Sequence, residues 1–221
     1  MRKHFFIEPI LTLIAGALFT ALFSGGCAGK AINESDPAAV YQAAEEDIED
    51  AKYELALEKL RMVKNKFPYS NYSAKAKLRI GDVQFQQENY LEAAASYEGF
   101  RDLHPNHESV TYAMFRTGES YYQDIPGNIA RDLTSAQKAL DAFNHFLERF
   151  PQDPQTQTAR ERVKSIRNTL AEKELYIASF YRRQDQVQSA RARYQKLLTL
   201  YPDSEFAKEA KEKLQLLPKE K

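Results

Sequence analysis

The chain has 221 residues, which suits one domain preceded by a leader, and its 31 basic residues balance 31 acidic ones. It therefore lacks the basic excess that is typical of nucleic-acid-binding proteins. Eight glycines and nine prolines are few for a turn-rich β architecture, so the composition favours helices. The single cysteine, Cys27, excludes an intrachain disulfide and a four-cysteine metal site.

The N-terminal segment has the features of an export leader. Basic residues at positions 2–4 precede a mostly apolar run at 10–23, which is shorter than the roughly 20 residues that a membrane-spanning helix needs. The run ends in Ser24-Gly25-Gly26-Cys27, which resembles the lipobox of bacterial lipoproteins, where the cysteine is lipidated and becomes the new N-terminus. Ordinary signal cleavage and an uncleaved anchor are the alternatives.

This resemblance implies a signal peptide at 1–26 and a palmitate-bearing lipid on Cys27. Residues 27–37 follow as a polar tether without apolar periodicity. Ala28 rather than aspartate follows the cysteine, which in lipoproteins implies export to the outer membrane.

Four pairs of a ring-bearing residue and a proline recur along the remaining chain. The pairs are Phe67-Pro68, His104-Pro105, Phe150-Pro151 and Tyr201-Pro202. Twelve residues before each proline lies an alanine, and eight before it lies a large apolar residue: Leu60, Tyr97, Phe143 and Tyr194. A small residue lies 24 positions before three of the prolines: Ala44, Gly81 and Ala178. In the third unit the corresponding Gly118 lies 33 positions before the proline, which indicates an insertion of nine residues near 124–128.

This order of small residue, alanine, large residue and proline is typical of tetratricopeptide repeats. Small side chains let two helices of a hairpin approach closely, and the proline ends the second helix. The sequence therefore predicts an all-α fold, a tetratricopeptide-repeat superhelix of about four to five helical hairpins. The repeat domain is expected at 38–217, followed by a C-terminal tail at 218–221.

The periodicity predicts these helices in chain order: 38–49, 53–66, 73–88, 90–103, 109–123, 133–149, 156–183, 187–200 and 204–216. Ser70, Asp153 and either Asp203 or Ser204 lie where caps for the following helices are needed.

The first helix of each hairpin is expected to line the concave side of the superhelix. Aromatic residues on or near that side suggest a trough for an extended peptide, and they are Tyr41, Phe85, Tyr112, Phe115 and Tyr122. Acidic residues accompany them: Glu45, Glu49, Asp82 and Glu119. The alternative for each ring is that it belongs to the core.

A second candidate surface is the basic stretch 159–183. Residues 31–110 carry a net charge of −6 and residues 158–221 a net charge of +6, so the charge is polarised along the chain. The candidates for docking an acidic partner are Arg160, Arg167, Lys173, Arg182 and Arg183. An ordinary solvated basic helix is the alternative.

The sequence contains no pattern typical of catalysis. Glycine-rich phosphate loops, nucleophile elbows and His-Glu-x-x-His are missing. His104 and His107 have a spacing seen in metal ligands, but Pro105 between them favours a turn. We therefore expect no catalytic residues, no metal and no cofactor apart from the covalent lipid on Cys27.

Several runs resemble the BamD family of outer-membrane assembly lipoproteins. They are Lys66-Phe-Pro-Tyr-Ser70, Asn89-Tyr-Leu-Glu-Ala-Ala-Ala-Ser-Tyr97, Phe100 through His104-Pro-Asn-His107, Leu170-Ala-Glu-Lys-Glu-Leu-Tyr-Ile-Ala-Ser-Phe-Tyr181, Ala190-Arg-Ala-Arg-Tyr194 and Tyr201-Pro-Asp-Ser204. The likeness extends from about residue 40 to 214, and the long stretch 156–183 distinguishes it from tetratricopeptides in general.

The resemblance implies a non-catalytic scaffold of the β-barrel assembly machine, held by lipid at the periplasmic face of the outer membrane. In that family the C-terminal repeats dock on a POTRA domain of the barrel-forming BamA subunit, beside other assembly-machine lipoproteins. The N-terminal repeats are thought to receive extended segments of unfolded outer-membrane proteins. Carried over, the basic residues named above are the docking candidates and the aromatic residues are the substrate trough.

Another envelope tetratricopeptide adaptor, for example one that coordinates cell-wall synthesis with Tol-Pal function, remains the main alternative. Such proteins usually lack a lipidated cysteine and often carry an N-terminal coiled coil, and no heptad run precedes residue 38 here. A lytic cell-wall enzyme fused to repeats would need a catalytic domain for which no residues remain.

Overall fold

The computed structural model describes residues 32–218. The chain divides into two units, residues 1–33 and 34–221, and only Ile32 and Asn33 of the first are described. The expected signal peptide, Cys27 and the first part of the expected tether lie outside the described residues, as do the last three residues of the expected tail.

Within residues 32–218 the structure consists of nine α-helices without any strand. They are α1 (Pro37–Glu49), α2 (Tyr53–Lys66), α3 (Asn71–Gln86), α4 (Tyr90–Leu103), α5 (Val110–Gln123), α6 (Thr134–Arg149), α7 (Thr156–Arg183), α8 (Val187–Leu200) and α9 (Ala207–Gln215). Each helix contacts the next, and short connections make α1–α2, α3–α4, α5–α6 and α7–α8 antiparallel hairpins, with α9 as a single last helix. The predicted all-α tetratricopeptide fold of four to five hairpins is confirmed.

The turn within three of the hairpins has the same three-residue structure. Its middle residue, Ala51, Glu88 or Asp185, has a left-handed backbone with φ of 56–61°. The amides of this residue and the next donate to carbonyls of the preceding helix, at 2.7–3.2 Å. These two backbone hydrogen bonds satisfy carbonyls that have no partner at the end of the helix. Their contribution outweighs the roughly 1 kcal/mol cost of a left-handed non-glycine residue.

The turn between hairpins also repeats. In all four ring-proline pairs, the amide three residues after the ring donates back to the ring residue's carbonyl, at 3.0–3.2 Å. Proline occupies the second position of this turn, where its fixed φ is favourable. The repeat in the sequence is therefore a repeat of backbone geometry.

Helix starts follow the predicted caps only in part. The Ser70 hydroxyl accepts from the Tyr72 amide and caps α3, as predicted. Asp153 accepts from the Gln155 amide in the turn before α7 rather than at the cap itself. The prediction for α9 is wrong, because this helix begins at Ala207, three residues later than expected and without a side-chain cap.

The insertion predicted in the third unit lies between α5 and α6. Residues 124–133 connect these helices, seven more than the three residues of the other hairpin turns. Helix α6 has 16 residues, two more than the 14 of α2, α4 and α8. Together the longer connection and the longer helix account for the nine inserted residues.

Close contact between a small and a large residue joins the two helices of a hairpin. A Cβ atom added to Gly81 would lie 2.8 Å from the Tyr97 ring, and one added to Gly118 would lie 2.7 Å from the Phe143 ring. Both rings are fully buried. Only glycine lets the backbone lie against these rings, since any side chain would push the helices apart.

Helix α7 has 28 residues, twice the length of α5. It contacts both α6 and α8, and Ala159, Ile166 and Ala178 are buried along its length. Near its end Glu174 is buried and accepts from Arg193 and Lys196 of α8, at 3.0 and 2.6 Å. One continuous helix therefore packs against the third hairpin and forms the first helix of the fourth.

The glycine contacts give a stability prediction. Gly118→Ala should lower the free energy of unfolding by about 1–3 kcal/mol, because the new methyl group overlaps the Phe143 ring. Urea unfolding followed by circular dichroism measures this change. Gly99→Ala in α4 is the matched control, since its Cβ meets nothing within 4 Å, and it should stabilise by about 0.5–1 kcal/mol through helix propensity. Equal stability of the two variants contradicts the close-packing explanation.

Candidate functional site

Charged residues recur at fixed positions on the first helix of successive hairpins. An arginine lies eleven residues after each of the first three repeat prolines, and an acidic residue directly follows each of the small residues at 44, 81 and 118. We call these six residues the charge ladder: Glu45, Arg79, Asp82, Arg116, Glu119 and Arg162.

Two arginines of the charge ladder bind the acid of the preceding hairpin with two donors. The Arg79 Nε atom lies 3.0 Å from both carboxylate oxygens of Glu45, and its Nη2 lies 2.7 Å from Oε2. Arg162 donates to Glu119 from Nε at 2.8 Å and from Nη2 at 3.4 Å. Because these forked contacts join neighbouring hairpins, they fix how one hairpin lies on the next.

Arg116 has a different environment. Its guanidinium lies 3.9 Å over the Phe85 ring, and its Nε donates to the Tyr97 hydroxyl at 3.2 Å. Asp82, the acid of the preceding hairpin, instead accepts from the hydroxyls of Tyr97 and Tyr112, both at 2.7 Å from Oδ1. Arg116 therefore forms no ion pair with any carboxylate in residues 32–218.

The tyrosines around the charge ladder remain neutral hydrogen-bond donors near pH 7. Burial, together with the negative charge of Asp82, raises the pKa of Tyr112 to about 12. Burial likewise holds the pKa of Tyr41 and Tyr97 far above the usual tyrosine range. Each phenol can thus donate to a carboxylate, as Tyr97 and Tyr112 do to Asp82.

Four of the five predicted trough residues lie beside the charge ladder. Tyr112 is 36% exposed, whereas Tyr41, Phe85 and Tyr122 are partly buried. Tyr41 packs on Tyr72 with ring centroids 5.5 Å apart, and Arg162 lies 4.4 Å over the Tyr122 ring.

The assignment of Phe115 to the trough is wrong. This side chain is only 6% exposed, and its ring packs against Phe143 and Phe146 at centroid distances of 5.8 and 5.5 Å. It is part of the core between α5 and α6. Phe115 lies three residues from Tyr112, about 60° around the helix, and this offset places its ring in the core while the Tyr112 ring reaches solvent.

Arg79 and Arg116 belong to the site, although neither was predicted as a site residue. Their common distance from the repeat prolines was the available signal, because residues at the same place in each unit align along one side of the array.

The five basic docking candidates do not form one surface. Arg160 and Arg183 are 23 positions apart on α7, about 35 Å along the helix. Arg160, Arg182 and Arg183 are exposed. Arg167 donates to the Asp203 carboxylate and to the Leu200 carbonyl at 3.0 Å, and this contact holds the pKa of Asp203 below its usual value.

Lys173 is engaged with the inserted connection. Its Nζ donates to the backbone carbonyls of Ile129 at 2.6 Å and Arg131 at 2.9 Å. This ammonium group therefore ties residues 124–133 to α7, and neither Lys173 nor Arg167 is a free charge for a partner.

An exposed aromatic pair lies near the C-terminal end of α7. Tyr176 and Phe180 are 43% and 46% exposed and lie one helical turn apart, and Arg183 follows on the same side. We call Tyr176, Phe180, Arg182 and Arg183 the α7 end surface. Exposed aromatic and arginine side chains are enriched at the centres of protein interfaces.

The histidine pair lies in a turn, packed on an aromatic ring. His104 and His107 lie within 5.2 Å of the Phe100 ring centroid, and the Lys77 Nζ lies 3.0 Å from His104 Nε2. Burial and the neighbouring ammonium lower the pKa of His104. Among residues 32–218 no group of three or more potential ligands is arranged to hold a metal ion. No helix in the same range combines the length and apolar character that crossing a bilayer requires.

Comparison with known proteins gives a consistent result over the whole helical array. The YfiO family, described as an outer membrane lipoprotein, matches residues 33–216. The outer membrane protein assembly factor BamD of Vibrio cholerae is 26% identical over 211 residues, which cover 91% of this chain and 87% of that protein. The BamD protein of Caulobacter vibrioides is also 26% identical, over 95% of this chain and 70% of that protein.

Among solved structures, a tetratricopeptide repeat protein from Parabacteroides merdae aligns with a TM-score of 0.44. The alignment covers 80% of this chain and 72% of that one, at 14% identity.

The contact of Lys173 with the inserted connection is testable. Lys173→Met should speed amide hydrogen exchange in residues 124–133 severalfold while leaving the helices protected, because two carbonyls lose their shared donor. Lys164→Met is the matched control, since Lys164 is exposed on the same helix. If exchange in 124–133 is unchanged by Lys173→Met, the contact does not hold the connection.

Proposed function

Because the chain belongs to the BamD family of outer membrane lipoproteins, we propose that it is a scaffold subunit of the outer-membrane β-barrel assembly machine. In this role it docks the barrel-forming BamA subunit, helps to receive and insert outer-membrane proteins, and catalyses no reaction. The observation that carries the proposal is the family match, which spans all nine helices between residues 33 and 216.

The charge ladder and its tyrosines support the reception of unfolded substrates. They form a row of charged and phenol groups across the first helices of four successive hairpins, with Tyr112 exposed in its centre. An extended polypeptide presents backbone carbonyls and alternating side chains, for which such a row offers donors and aromatic surfaces. Tyr41, Phe85, Tyr112 and Tyr122 are the trough residues that we retain.

The α7 end surface supports docking of the BamA POTRA domains. It combines two exposed aromatic rings with two arginines at one end of a long rigid helix. Of the basic candidates from the sequence, we retain Arg182 and Arg183 for this role. Arg167 and Lys173 stabilise the fold instead, and Arg160 lies at the opposite end of α7.

The anchor completes the proposal. Lipid on Cys27 holds the helical array at the periplasmic face of the outer membrane. Several acyl chains, at about 0.8 kcal/mol per buried CH₂, suffice for stable attachment of a soluble domain. The family description as an outer membrane lipoprotein supports this arrangement.

Capture of partners after mild detergent extraction tests the docking role. With the chain as bait we expect to recover an outer-membrane barrel that carries POTRA domains. Reversing both charges with Arg182→Glu and Arg183→Glu should lower this recovery at least tenfold, because two donors to the partner become like charges. Quantitative immunoblotting of the captured barrel is the measurement.

Arg160→Glu is the matched control, since it reverses an exposed charge on the same helix about 33 Å before Arg182. It should leave recovery of the barrel nearly unchanged. Recovery of Tol-Pal components alone contradicts the proposed function, and equal losses from the two ends of α7 contradict the assignment of the α7 end surface.

The lipid anchor has its own test. Cys27→Ser should move the protein from the outer-membrane fraction to the soluble periplasmic fraction, because no thiol is left to acylate. Ala28→Asp is the control, and it should keep the lipid but lower the outer-membrane share. Cell fractionation measures the location of each variant, and mass spectrometry of the N-terminal peptide measures its lipid modification. A wild-type protein with unmodified Cys27 within an intact leader rules the anchor out.

A further inference from the structure

Arg116 occupies a position that binds a carboxylate elsewhere in the array. The equivalent residues, Arg79 and Arg162, each hold a carboxylate of the preceding hairpin with two donors. The three arginines share the same distance from their repeat prolines and lie on the same helix side. An arginine at this position can therefore bind a carboxylate with two donors. Of the three arginines, Arg116 is the one that pairs with no carboxylate of residues 32–218.

Asp82 occupies the position in the preceding hairpin that is equivalent to Glu45 and Glu119, but it accepts hydrogen bonds from other donors. Its Oδ1 accepts from the hydroxyls of Tyr97 and Tyr112, and its Oδ2 lies 3.6 Å from Arg79 Nη1. Asp82 is thus satisfied without Arg116. The two terminal amino groups of Arg116 donate no hydrogen bond to any described residue, since its single bond, to Tyr97, comes from Nε.

From this arrangement we propose that Arg116 binds a carboxylate group of an extended polypeptide that lies along the charge ladder. This inference rests on the proposed reception of extended substrates and specifies the chemistry that one point of the surface recognises. The carboxylate takes the place that Glu45 and Glu119 take at the equivalent arginines.

The guanidinium is held in place before the ligand arrives. It lies 3.9 Å over Phe85 and within 6 Å of the Tyr97 and Tyr112 ring centroids. These stacking contacts restrict its rotamers, so little conformational entropy is lost on binding. Tyr112 beside it is 36% exposed, which leaves this part of the surface open to solvent.

The neighbouring acids do not oppose an incoming anion strongly. Glu119 is paired with Arg162, and Asp82 accepts two phenol hydrogen bonds and lies near Arg79. The charge of Glu119 is therefore compensated and that of Asp82 is compensated in part, whereas Arg116 has no paired carboxylate within residues 32–218. Forked pairing of arginine with a carboxylate is among the stronger polar contacts in proteins.

Two kinds of carboxylate have this chemistry, an acidic side chain within the segment and the free carboxyl end of a chain. Three synthetic twelve-residue peptides of alternating aromatic and serine residues separate them. The first has a free C-terminal carboxylate and no acidic residue, the second is the same peptide amidated, and the third is amidated with one central glutamate. Binding to the full mature lipoprotein in detergent micelles is measured by fluorescence anisotropy.

We expect the wild-type protein to bind at least one carboxylate peptide about tenfold more tightly than the neutral amidated peptide. The peptide that binds more tightly identifies the source of the carboxylate. Arg116→Gln should abolish the preference and leave weak binding of the neutral peptide. Arg101→Gln in α4 is the control for loss of one positive charge elsewhere, and it should keep the preference.

A variant that is expected to bind more tightly distinguishes loss of the site from a folding defect. Asp82→Asn keeps an oxygen that can accept from the two tyrosines but removes the negative charge next to Arg116. It should therefore strengthen binding of the carboxylate peptide severalfold, and a damaged protein cannot produce this result. The added affinity should shrink as the salt concentration rises.

Two results overturn the inference in different ways. Equal binding of all three peptides, or a preference that survives Arg116→Gln, shows that the trough does not recognise carboxylate at Arg116, although it still receives extended chains. Failure of the wild-type protein to bind any of the three peptides removes the proposed reception of substrates together with this site.

Discussion

The close approach of two backbones at a single small residue determines the geometry of each hairpin. At Gly81 and Gly118 the ring of the second helix lies where a side chain would otherwise be, and both rings are fully buried. Because the same contact recurs in the second and third hairpins, and an alanine occupies the same position in the other two, the first helices of successive hairpins lie in the same relation to one another. Residues separated by one repeat then meet, and Arg79 reaches Glu45 as Arg162 reaches Glu119.

The charged residues consequently fall into two groups with different roles. Two of the three arginines of the charge ladder, Arg79 and Arg162, form ion pairs between hairpins, and their charge is compensated locally. Arg116 within the array and the two arginines of the α7 end surface have no such partner within residues 32–218, which is why we propose them as contacts with other molecules. Net charge along the sequence did not separate these groups, since it counts paired and unpaired residues alike.

The repeat could be predicted from the sequence, whereas the environment of single side chains could not. The spacing of small residues, rings and prolines predicted the order of the helices and the nine-residue insertion, because these residues determine backbone turns and close contacts. The start of α9 was predicted three residues too early. Phe115 was assigned wrongly because neighbouring residues of one helix can face either the core or the trough. Lys173 was misread because its partners are backbone carbonyls of an irregular connection, which no spacing rule specifies.

The length of α7 determines how the two proposed binding surfaces are oriented. The 14 residues by which it exceeds α5 correspond to 3.9 turns at 3.6 residues per turn, which is about 40° short of four full turns. The C-terminal end of α7, with α8 packed on it, is thus displaced along the helix axis by about 21 Å and turned by about 40°. Adding or removing one residue would rotate it by about 100°. A stiff helix of fixed length, without a hinge loop, therefore acts as a spacer and sets the directions in which the charge ladder and the α7 end surface point.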